Sequence, residues 1–231
     1  MTTPDPSPSP AHASERLASL RREYADTGLD AADVDPDPLV VLARWLDEAE
    51  AAGIHEPNAV VVASVSPEGQ PSARIVLLKG LDERGLVFYT NYDSRKGHEL
   101  EATGRAALLF PWHDLQRQVR VEGSVARVAP EESAAYFAQR PRGSQLGAWA
   151  SPQSQPVASR EELDERYAAV EQRFADDAEV PVPSHWGGYR VVPEVVELWQ
   201  GRSGRMHDRL VYRRGADAAP GEGWTLERLA P

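Results

Sequence analysis

The chain has 231 residues, with 25 lysine and arginine residues against 36 aspartate and glutamate residues, a net charge of −11. This acidity argues against general nucleic-acid binding and against a basic membrane-surface role. The sequence has no cysteine, which excludes disulfide scaffolds, cysteine-ligated zinc, iron–sulfur clusters and thiol catalysis. No apolar run reaches the roughly 18 residues that a membrane-spanning helix needs.

The first segment is rich in proline, with Pro4, Pro6, Pro8 and Pro10 at every second position. Alternating proline blocks helix formation and favours an extended, solvated chain. We therefore predict a disordered tail over residues 1–13 and a single folded domain over residues 14–231. The tail lacks the basic and apolar regions of an export signal, so we expect a cytoplasmic protein.

Two helices are predicted after the tail. Ser14 can cap a helix that runs to about Tyr24 and has an apolar stripe at helical spacing. Asp37-Pro38 is a favourable pair for the N-cap and first position of a second helix, and Gly53 ends it.

From residue 59 onwards, short β-branched segments alternate with turns, which is typical of a meander of antiparallel strands. The predicted strands are Ala59–Val65, Ser72–Lys79, Leu86–Thr90, Ala106–Phe110, Arg117–Val128, Gly188–Val192, Val195–Trp199, Arg209–Arg213 and Trp224–Arg228. Helices are predicted over Arg95–Ala102, Pro130–Gln139 and Arg160–Ala175. Because helices and strands do not alternate one for one, the pattern favours a mainly β antiparallel barrel with peripheral helices.

Several common catalytic motifs are missing from the sequence. There is no GxGxxG, no GxxxxGK[ST], no GxSxG and no HExxH. A Rossmann dinucleotide site, a P-loop, a hydrolase nucleophile elbow and a zinc hydrolase site are therefore disfavoured. What remains possible is a phosphate or cofactor site built from scattered residues, and we expect no metal.

Two cations, Arg74 and Lys79, lie inside the otherwise apolar strand SARIVLLK. Strand alternation directs their side chains to opposite faces of the strand. A charge in such a run must be paired, reach water at a strand end, or line a site. The opposite-face arrangement would suit two anionic ligands, or one ligand beside a β-bulge.

A second pair of cations follows the third predicted strand. Ser94 can cap a helix whose first residues are Arg95 and Lys96. Helix N-terminal amides bind anions, and cations there oppose the helix dipole, so the pair indicates an anion. A solvated Arg-Lys pair explains these residues equally well.

Farther along the chain, Gln118 could bond a flavin or purine edge, or belong to an ordinary half-exposed strand.

Tyr136, Arg140 and Ser144 recur every four residues. A helix would put Tyr136 and Arg140 on one face, and we expect Pro141 and Gly143 to end it and leave Ser144 in a loop. A phenol, a guanidinium and a hydroxyl that converge would make a good phosphate clamp.

The segment Arg202–Arg214 has five arginines and one aspartate, a local charge of 5 − 1 = +4 before His207 is counted. Arg205 and His207 are two residues apart, so both can face one side of an extended segment. Two nearby glycines, Gly201 and Gly204, suggest a close approach of the backbone to another group. A solvated basic strand is the alternative.

These segments together resemble one family, the pyridoxamine (pyridoxine) 5′-phosphate oxidases. The similarity covers essentially everything after the tail. The similar stretches are RREYADTGL from Arg21, DPLVVLARWLDEA from Asp37, EPNA from Glu56, ARIVLLKGLDERGLVFYTNYDSRKG from Ala73, RQVRVEG from Arg117, SAAYFAQRPRGSQLGAWAS from Ser133, SPQS from Ser151, HWGGYR from His185, ELWQGRSGRMHDR from Glu197 and the terminal RLAP.

The resemblance implies an antiparallel split β-barrel and a homodimer with FMN at the subunit interface. It implies flavin contacts, some from the partner chain, at Arg74, Ile75, Val76, Leu77, Leu78, Lys79, Tyr89, Thr90, Arg95, Lys96, Gln118, Gln153, Ser154, Trp199 and Arg209. It implies substrate contacts at Lys79, Tyr136, Arg140, Ser144, Arg205, Met206 and His207, and at a covering N-terminal segment, Arg21, Arg22, Glu23 and Tyr24. Met206 stands where the family often has leucine.

The implied reaction is the oxidation of pyridoxamine 5′-phosphate or pyridoxine 5′-phosphate to pyridoxal 5′-phosphate, with dioxygen reduced to hydrogen peroxide. The implied catalytic residues are Arg205, which we expect to pack against the substrate ring, and His207, which should bond a ring substituent. Two other interpretations stay open: a split-barrel flavin reductase for another substrate, and a non-catalytic carrier of FMN or pyridoxal phosphate. Neither nucleic acid nor a membrane is expected as a partner.

Overall fold

The computed structural model describes residues 17, 20, 23–25, 27–176, 178–216, 218 and 222–231, which include eight strands and five α-helices. The tail predicted over residues 1–13 and most of the helix predicted from Ser14 lie outside the described residues. Helix α1 (Pro38–Ala51) begins as predicted, because Asp37 Oδ1 accepts a hydrogen bond from the Leu39 amide at 2.8 Å.

Eight antiparallel strands form one sheet in the order β3-β2-β1-β4-β5-β6-β7-β8. A further pairing of β3 with β6 closes the first six strands into a barrel, and β7 and β8 extend the sheet beyond it. The predicted mainly β, antiparallel barrel is therefore confirmed. The strands are β1 (Ala59–Val65), β2 (Pro71–Asp82), β3 (Gly85–Asn91), β4 (Arg105–Trp112), β5 (Arg117–Arg127), β6 (Trp186–Gln200), β7 (Asp208–Arg214) and β8 (Trp224–Leu229).

One strand prediction was wrong in detail. The segments Gly188–Val192 and Val195–Trp199 are parts of one continuous strand, β6, rather than two strands. The sequence suggested a break at Pro193, but the pairing with β5 shifts by one residue at this point and continues. A β-bulge thus absorbs the irregularity without ending the strand.

The remaining helices lie outside the barrel wall. They are α2 (Arg95–Thr103), α3 (Pro130–Gln139), α4 (Arg142–Ala150) and α5 (Arg160–Arg173). The prediction that Ser144 lies in a loop was wrong. Pro141 occupies the N-cap of α4, and Ser144 lies in the first turn of that helix. Proline suits a helix start, since its missing amide would have no partner there anyway. Arg140 follows α3 in an extended conformation, with ψ 145°.

The barrel wall opens between β2 and β3. The two strands pair only near their hairpin end, from Leu78 to Asp82 in β2, and a bulge leaves Lys79 without a partner in β3. The first part of β2 pairs with β1, while the last residues of β3 pair with β6. The strands therefore diverge, and this split is the feature that positions the candidate site.

Two apolar clusters support this arrangement. Side chains that alternate along the strands fill the barrel, with Val62, Leu108 and Phe110 fully buried. A second cluster joins the helices beside the split to the start of β6, and its buried members are Phe137, Leu146, Phe174, Val180 and Trp186. Among the described residues, no helix is long and apolar enough to cross a membrane.

Candidate functional site

A cavity of about 540 Å³ occupies the split between β2 and β3. Four cations and no carboxylate are among its lining residues. The residues that line it are Arg74, Ile75, Val76, Leu77, Lys79, Tyr89, Thr90, Asn91, Lys96, Tyr136, Arg140, Ser144, Gly147, Ala148, Ser151, Gln153 and Trp186. The structure therefore gathers residues that the sequence placed in four separate motifs.

Lys96 is the most deeply buried cation of the cavity, with 9% of its surface exposed. Its ammonium group donates to three neutral oxygens: Thr90 Oγ1 at 3.0 Å, Ser94 Oγ at 3.2 Å and Gln153 Oε1 at 2.5 Å. Burial, assisted by the nearby charge of Arg74, lowers the pKa of Lys96 to about 8. A buried cation with no carboxylate partner is suited to receive an anion.

Three stacked rings form one wall of the cavity. Tyr89 lies parallel to Tyr136, with ring centroids 4.1 Å apart, and parallel to Trp186 at 5.4 Å. Arg140 lies over the Trp186 ring, with its guanidinium carbon 4.8 Å from the ring centroid. Burial lowers the pKa of Arg140, and its buried Nη1 atom has no hydrogen-bond partner among the described residues.

Arg74 and Arg95 are both bonded to a carboxylate that the sequence analysis did not identify, Glu99 on α2. Glu99 Oε1 accepts from Arg95 Nε at 2.8 Å, and Oε2 lies 3.4 Å from Arg74 Nη2. Burial alone would raise the pKa of Glu99, but hydrogen bonds from Ser64, Ser72 and Arg95 lower it to about 2. The spacing of four residues between Arg95 and Glu99 was the available signal.

The other predicted site residues form a second group on β6 and β7. His207 lies 4.6 Å from the Trp199 ring and 5.6 Å from the Tyr24 ring, measured between centroids. Trp186 begins β6 and Trp199 lies 13 residues farther along it. At about 3.3 Å per residue, roughly 40 Å of strand separates this group from the cavity in one chain.

The loop that bears Arg205 is not an extended segment, contrary to prediction. Ser203–Arg205 forms a 3₁₀ turn in which Gly204 and Arg205 have φ of 60° and 61°. Arg205 is exposed, as is Met206, while His207 is half-buried. His207 Nδ1 accepts a hydrogen bond from the Arg202 amide at 3.1 Å, so the neutral imidazole carries its proton on Nε2.

At Gly201, the group that closely approaches the backbone, as predicted, is the ring of Tyr24 in the same chain. A Cβ at this position would lie 2.9 Å from Tyr24 Cδ2, so a side chain here would displace the tyrosine ring. The Ala25 amide also donates to Gln116 Oε1 at 2.9 Å. The described part of the N-terminal segment therefore packs on the β6–β7 loop, beside His207. Arg21 and Arg22 lie outside the described residues.

The remaining predicted contacts lie in several environments. Leu78 points into the barrel core, and Ser154 follows the cavity residue Gln153 with φ 70°. Gln118 is half-buried on β5 opposite Trp199, outside the cavity. Arg209 donates to the buried carboxylate of Glu197, and exposed Glu23 has no regular secondary structure.

The donor set of the cavity fits a phosphorylated aromatic group. Lys96 and Arg140 supply positive charge that no carboxylate among the described residues neutralises, and the ring stack supplies a flat apolar face. Ile75 is 69% exposed at the rim, which is unusual for an isoleucine and favours a covering group. Trp186 was missed as a site residue, although it lies in the HWGGYR segment that the sequence analysis noted.

Two family models match the chain. One, described as pyridoxamine 5′-phosphate oxidase, matches residues 46–174, and the other, described as the pyridoxine 5′-phosphate oxidase C-terminal dimerisation region, matches residues 186–231. A relative from Rubrobacter xylanophilus is 58% identical over 96% of this chain and 100% of its own length. One from Salinibacter ruber is 56% identical over 94% and 99%. Both are named pyridoxine/pyridoxamine 5′-phosphate oxidase.

Solved structures share the fold. PhzG from Burkholderia lata, in complex with tetrahydrophenazine-1-carboxylic acid, has a TM-score of 0.81 and 30% identity, over 90% of this chain and all of that one. An FMN-binding protein from Nostoc punctiforme has a TM-score of 0.66 and 16% identity, over 89% and 100%. Because a family model spans more than half of the chain and relatives match nearly all of it, the chain belongs to the pyridoxamine 5′-phosphate oxidase family.

Proposed function

We propose that this protein is an FMN-dependent oxidase that converts pyridoxamine 5′-phosphate and pyridoxine 5′-phosphate to pyridoxal 5′-phosphate. The observation that carries the proposal is a cavity that contains a buried lysine, Lys96, and a half-buried arginine, Arg140, beside a stack of aromatic rings, and no described carboxylate pairs with either cation. With the amine substrate, dioxygen and water are consumed and ammonia and hydrogen peroxide are released. With the alcohol, dioxygen alone is consumed and hydrogen peroxide is released.

The inner end of the cavity would hold the cofactor. Lys96 and Arg95 would bind its phosphate at the start of α2, where helix amides also favour an anion. Thr90 and Gln153, which already bond Lys96, would fix the ammonium group in this position. Bound FMN supplies the redox chemistry, in which two electrons leave the substrate C4′ carbon and reach dioxygen.

The outer end would hold the substrate. Arg140, Tyr136, Ser144 and Lys79 would grip its 5′-phosphate, and Arg140 Nη1 is a buried donor that has no partner among the described residues. Holding the remote phosphate orients the reacting carbon, which is an efficient use of binding energy. This role predicts that loss of Arg140 changes KM more than kcat.

A second copy of the chain would complete the site. The group around Trp199 and His207 lies about 40 Å along the strand from Trp186, and neither residue lines the cavity of its own chain. Residues 186–231, which contain this group, match a dimerisation region. We infer a homodimer in which Gln118, Trp199 and Arg209 of one protomer complete the flavin site of the other.

Within this assembly, Arg205 and His207 would act on the substrate ring. The Arg202 amide occupies His207 Nδ1, so His207 would present Nε2–H as a hydrogen-bond donor to a ring oxygen rather than as a base. Arg205, exposed and without an ion pair among the described residues, would pack against the ring and hold C4′ in place. Both residues are therefore proposed as catalytic.

A second candidate function follows from the similarity to PhzG, whose structure contains tetrahydrophenazine-1-carboxylic acid. A flavin oxidase for a reduced tricyclic acid would need a carboxylate site but no phosphate clamp. The clamp residues Tyr136, Arg140 and Ser144 favour the phosphorylated substrate.

One assay separates these functions. The purified protein is checked for bound FMN, mixed in air with pyridoxine 5′-phosphate or a reduced phenazine carboxylic acid, and followed for aldehyde or phenazine and for peroxide. We expect a yellow protein that forms aldehyde and peroxide in equal amounts from the vitamer. Turnover of the phenazine precursor alone would establish the second function. Binding of FMN with no turnover would indicate a carrier, and failure to take up FMN would reject both oxidase functions.

A further inference from the structure

Glu99 is a buried carboxylate shared by two arginines from different elements. It lies on α2 with 4% of its surface exposed. Its partners are Arg95, four residues earlier on the same helix, and Arg74 on β2. Arg74 lines the cavity, and Arg95 precedes the lining residue Lys96 in the sequence. A buried carboxylate bonded to two arginines can orient both of them, because each guanidinium has a rigid planar fork.

The two arginines are held in different ways. Both terminal nitrogens of Arg74 have protein acceptors: Nη1 donates to Ser64 Oγ at 2.6 Å and to Val62 O at 3.2 Å, and Nη2 donates to Ser72 Oγ. The Ser64 and Ser72 hydroxyls in turn donate to Glu99 Oε2 at 2.6 and 2.5 Å. Arg74 is thus enclosed by a ring of hydrogen bonds that links β1, β2 and α2.

Arg95 is bonded to Glu99 through Nε only, at 2.8 Å. Its side chain is 56% exposed, and its two terminal nitrogens have no partner among the described residues. A carboxylate that binds the Nε edge fixes the plane of the guanidinium and turns the opposite edge outward. Arg95 is the first residue of α2 and is adjacent to Lys96, the buried cation of the cavity.

We propose that Glu99 is a positioning residue for the cofactor phosphate: it holds Arg95 by its Nε edge, so that both terminal nitrogens face the anion bound beside Lys96. This inference rests on the proposed function, since it takes the anion to be the phosphate of FMN. Three cations, Arg74, Arg95 and Lys96, less the one charge of Glu99 leave two positive charges, which match a phosphate dianion.

The test compares FMN with riboflavin, which has the same ring system but no phosphate. Glu99→Gln keeps the size of the side chain but removes its charge and one of its two acceptor oxygens, so the hydrogen bond that orients Arg95 is weakened. We expect the Kd for FMN to rise about tenfold, as is typical when a residue that orients a ligand-binding group is changed. The Kd for riboflavin should stay within about twofold of wild type.

Two further variants make the result specific. Arg95→Lys keeps the positive charge but has no fork for Glu99 to orient, and it should lose FMN affinity to a similar extent with riboflavin affinity unchanged. Glu101→Gln is the matched control, because this carboxylate lies on the same helix but pairs with Arg127 and bonds Tyr189. It should alter neither affinity. If Glu99→Gln does not fold, Arg95→Lys still tests the proposal.

The outcomes are distinguishable from failure of the proposed function. Equal losses of FMN and riboflavin affinity in Glu99→Gln would mean that Glu99 only stabilises the fold, which overturns the inference. An unchanged FMN affinity in both Glu99→Gln and Arg95→Lys would also overturn it. If the wild-type chain bound neither flavin, the proposed function itself would be rejected.

Discussion

Two cavities of similar size contain arginines, but they differ in how those charges are balanced. The cavity in the barrel split, about 540 Å³, is lined by four cations and no carboxylate. The second cavity, about 560 Å³, is lined by Arg202 and Arg228 together with the carboxylates of Asp30, Asp33 and Asp208. The first has an excess of positive charge, and the second has none.

In the second cavity one carboxylate satisfies both arginines. Asp208 accepts hydrogen bonds from Arg228, from Arg202 at 3.4 Å and from the Leu29 amide at 2.9 Å. Burial would raise the pKa of Asp208, but the Leu29 amide and the two arginines lower it. The comparison shows that a group of arginines is not by itself an anion site; an anion site needs cations that the fold leaves without carboxylates.

Arg205 should give the largest effect. It lies three residues from Arg202 on the same loop, yet it has no acidic partner among the described residues. We expect Arg205→Ala to lower kcat about 100-fold, because a group that orients the reacting carbon is lost, while the Kd for FMN stays within about twofold. Steady-state kinetics and a flavin titration measure the two quantities. Equal losses of turnover and FMN affinity would contradict the assignment.

Arg140 should give the next largest effect. Removing a buried donor to a phosphate costs about 2 kcal/mol, so Arg140→Ala should raise KM about 30-fold with a smaller change in kcat. Arg228→Ala is the control, because it removes a cation that Asp208 neutralises. It should lower the midpoint of thermal unfolding and leave KM within about twofold. An unchanged KM in Arg140→Ala would remove Arg140 from the clamp.

Lys96 should give the smallest of the three effects, about tenfold, and its loss should leave the stability of the FMN-free protein unchanged or raise it. Lys96→Met removes a phosphate contact, so the Kd for FMN should rise about tenfold. The same change removes a buried charge that no carboxylate pairs, so the FMN-free protein should unfold at the same or a higher temperature. Flavin titration and thermal unfolding measure these effects. A large loss of stability would mean that the hydrogen bonds of Lys96 to Thr90 and Gln153 support the fold.

The lowered pKa of Lys96 adds a dependence on pH. Because this pKa, about 8, lies below that of lysine in the unfolded chain, the unfolded chain binds more protons between pH 8 and pH 10.5. For this group, the stability of the FMN-free protein should therefore rise as the pH rises through that range. The affinity for FMN should fall over the same range, since the phosphate requires the charged form. The affinity for riboflavin and the FMN affinity of Lys96→Met should not follow this profile.

Local patterns predicted most of the fold. The start of α1 at Asp37-Pro38 and the cap of α2 at Ser94 involve residues within one turn of each other, so the sequence alone indicates them. The two errors arose at prolines, because a proline can end one element, begin another, or lie at a bulge inside a strand. Strand β6 continues past Pro193 because its partner strand accommodates a bulge, and Ser144 lies in a helix because Pro141 begins one.

Strand periodicity indicated a barrel, and the type and order of the cations indicated phosphate sites, because both are properties of the chain. The phosphorylated rings themselves were implied only by the family resemblance. Which cations remain available to a ligand was decided only when β1, β2 and α2 packed together. That packing paired Arg74 with Glu99, while no carboxylate in the described part of the chain pairs with Lys96 or Arg140. Ion pairing depends on distances of a few ångströms between residues far apart in sequence, and a linear pattern does not contain those distances.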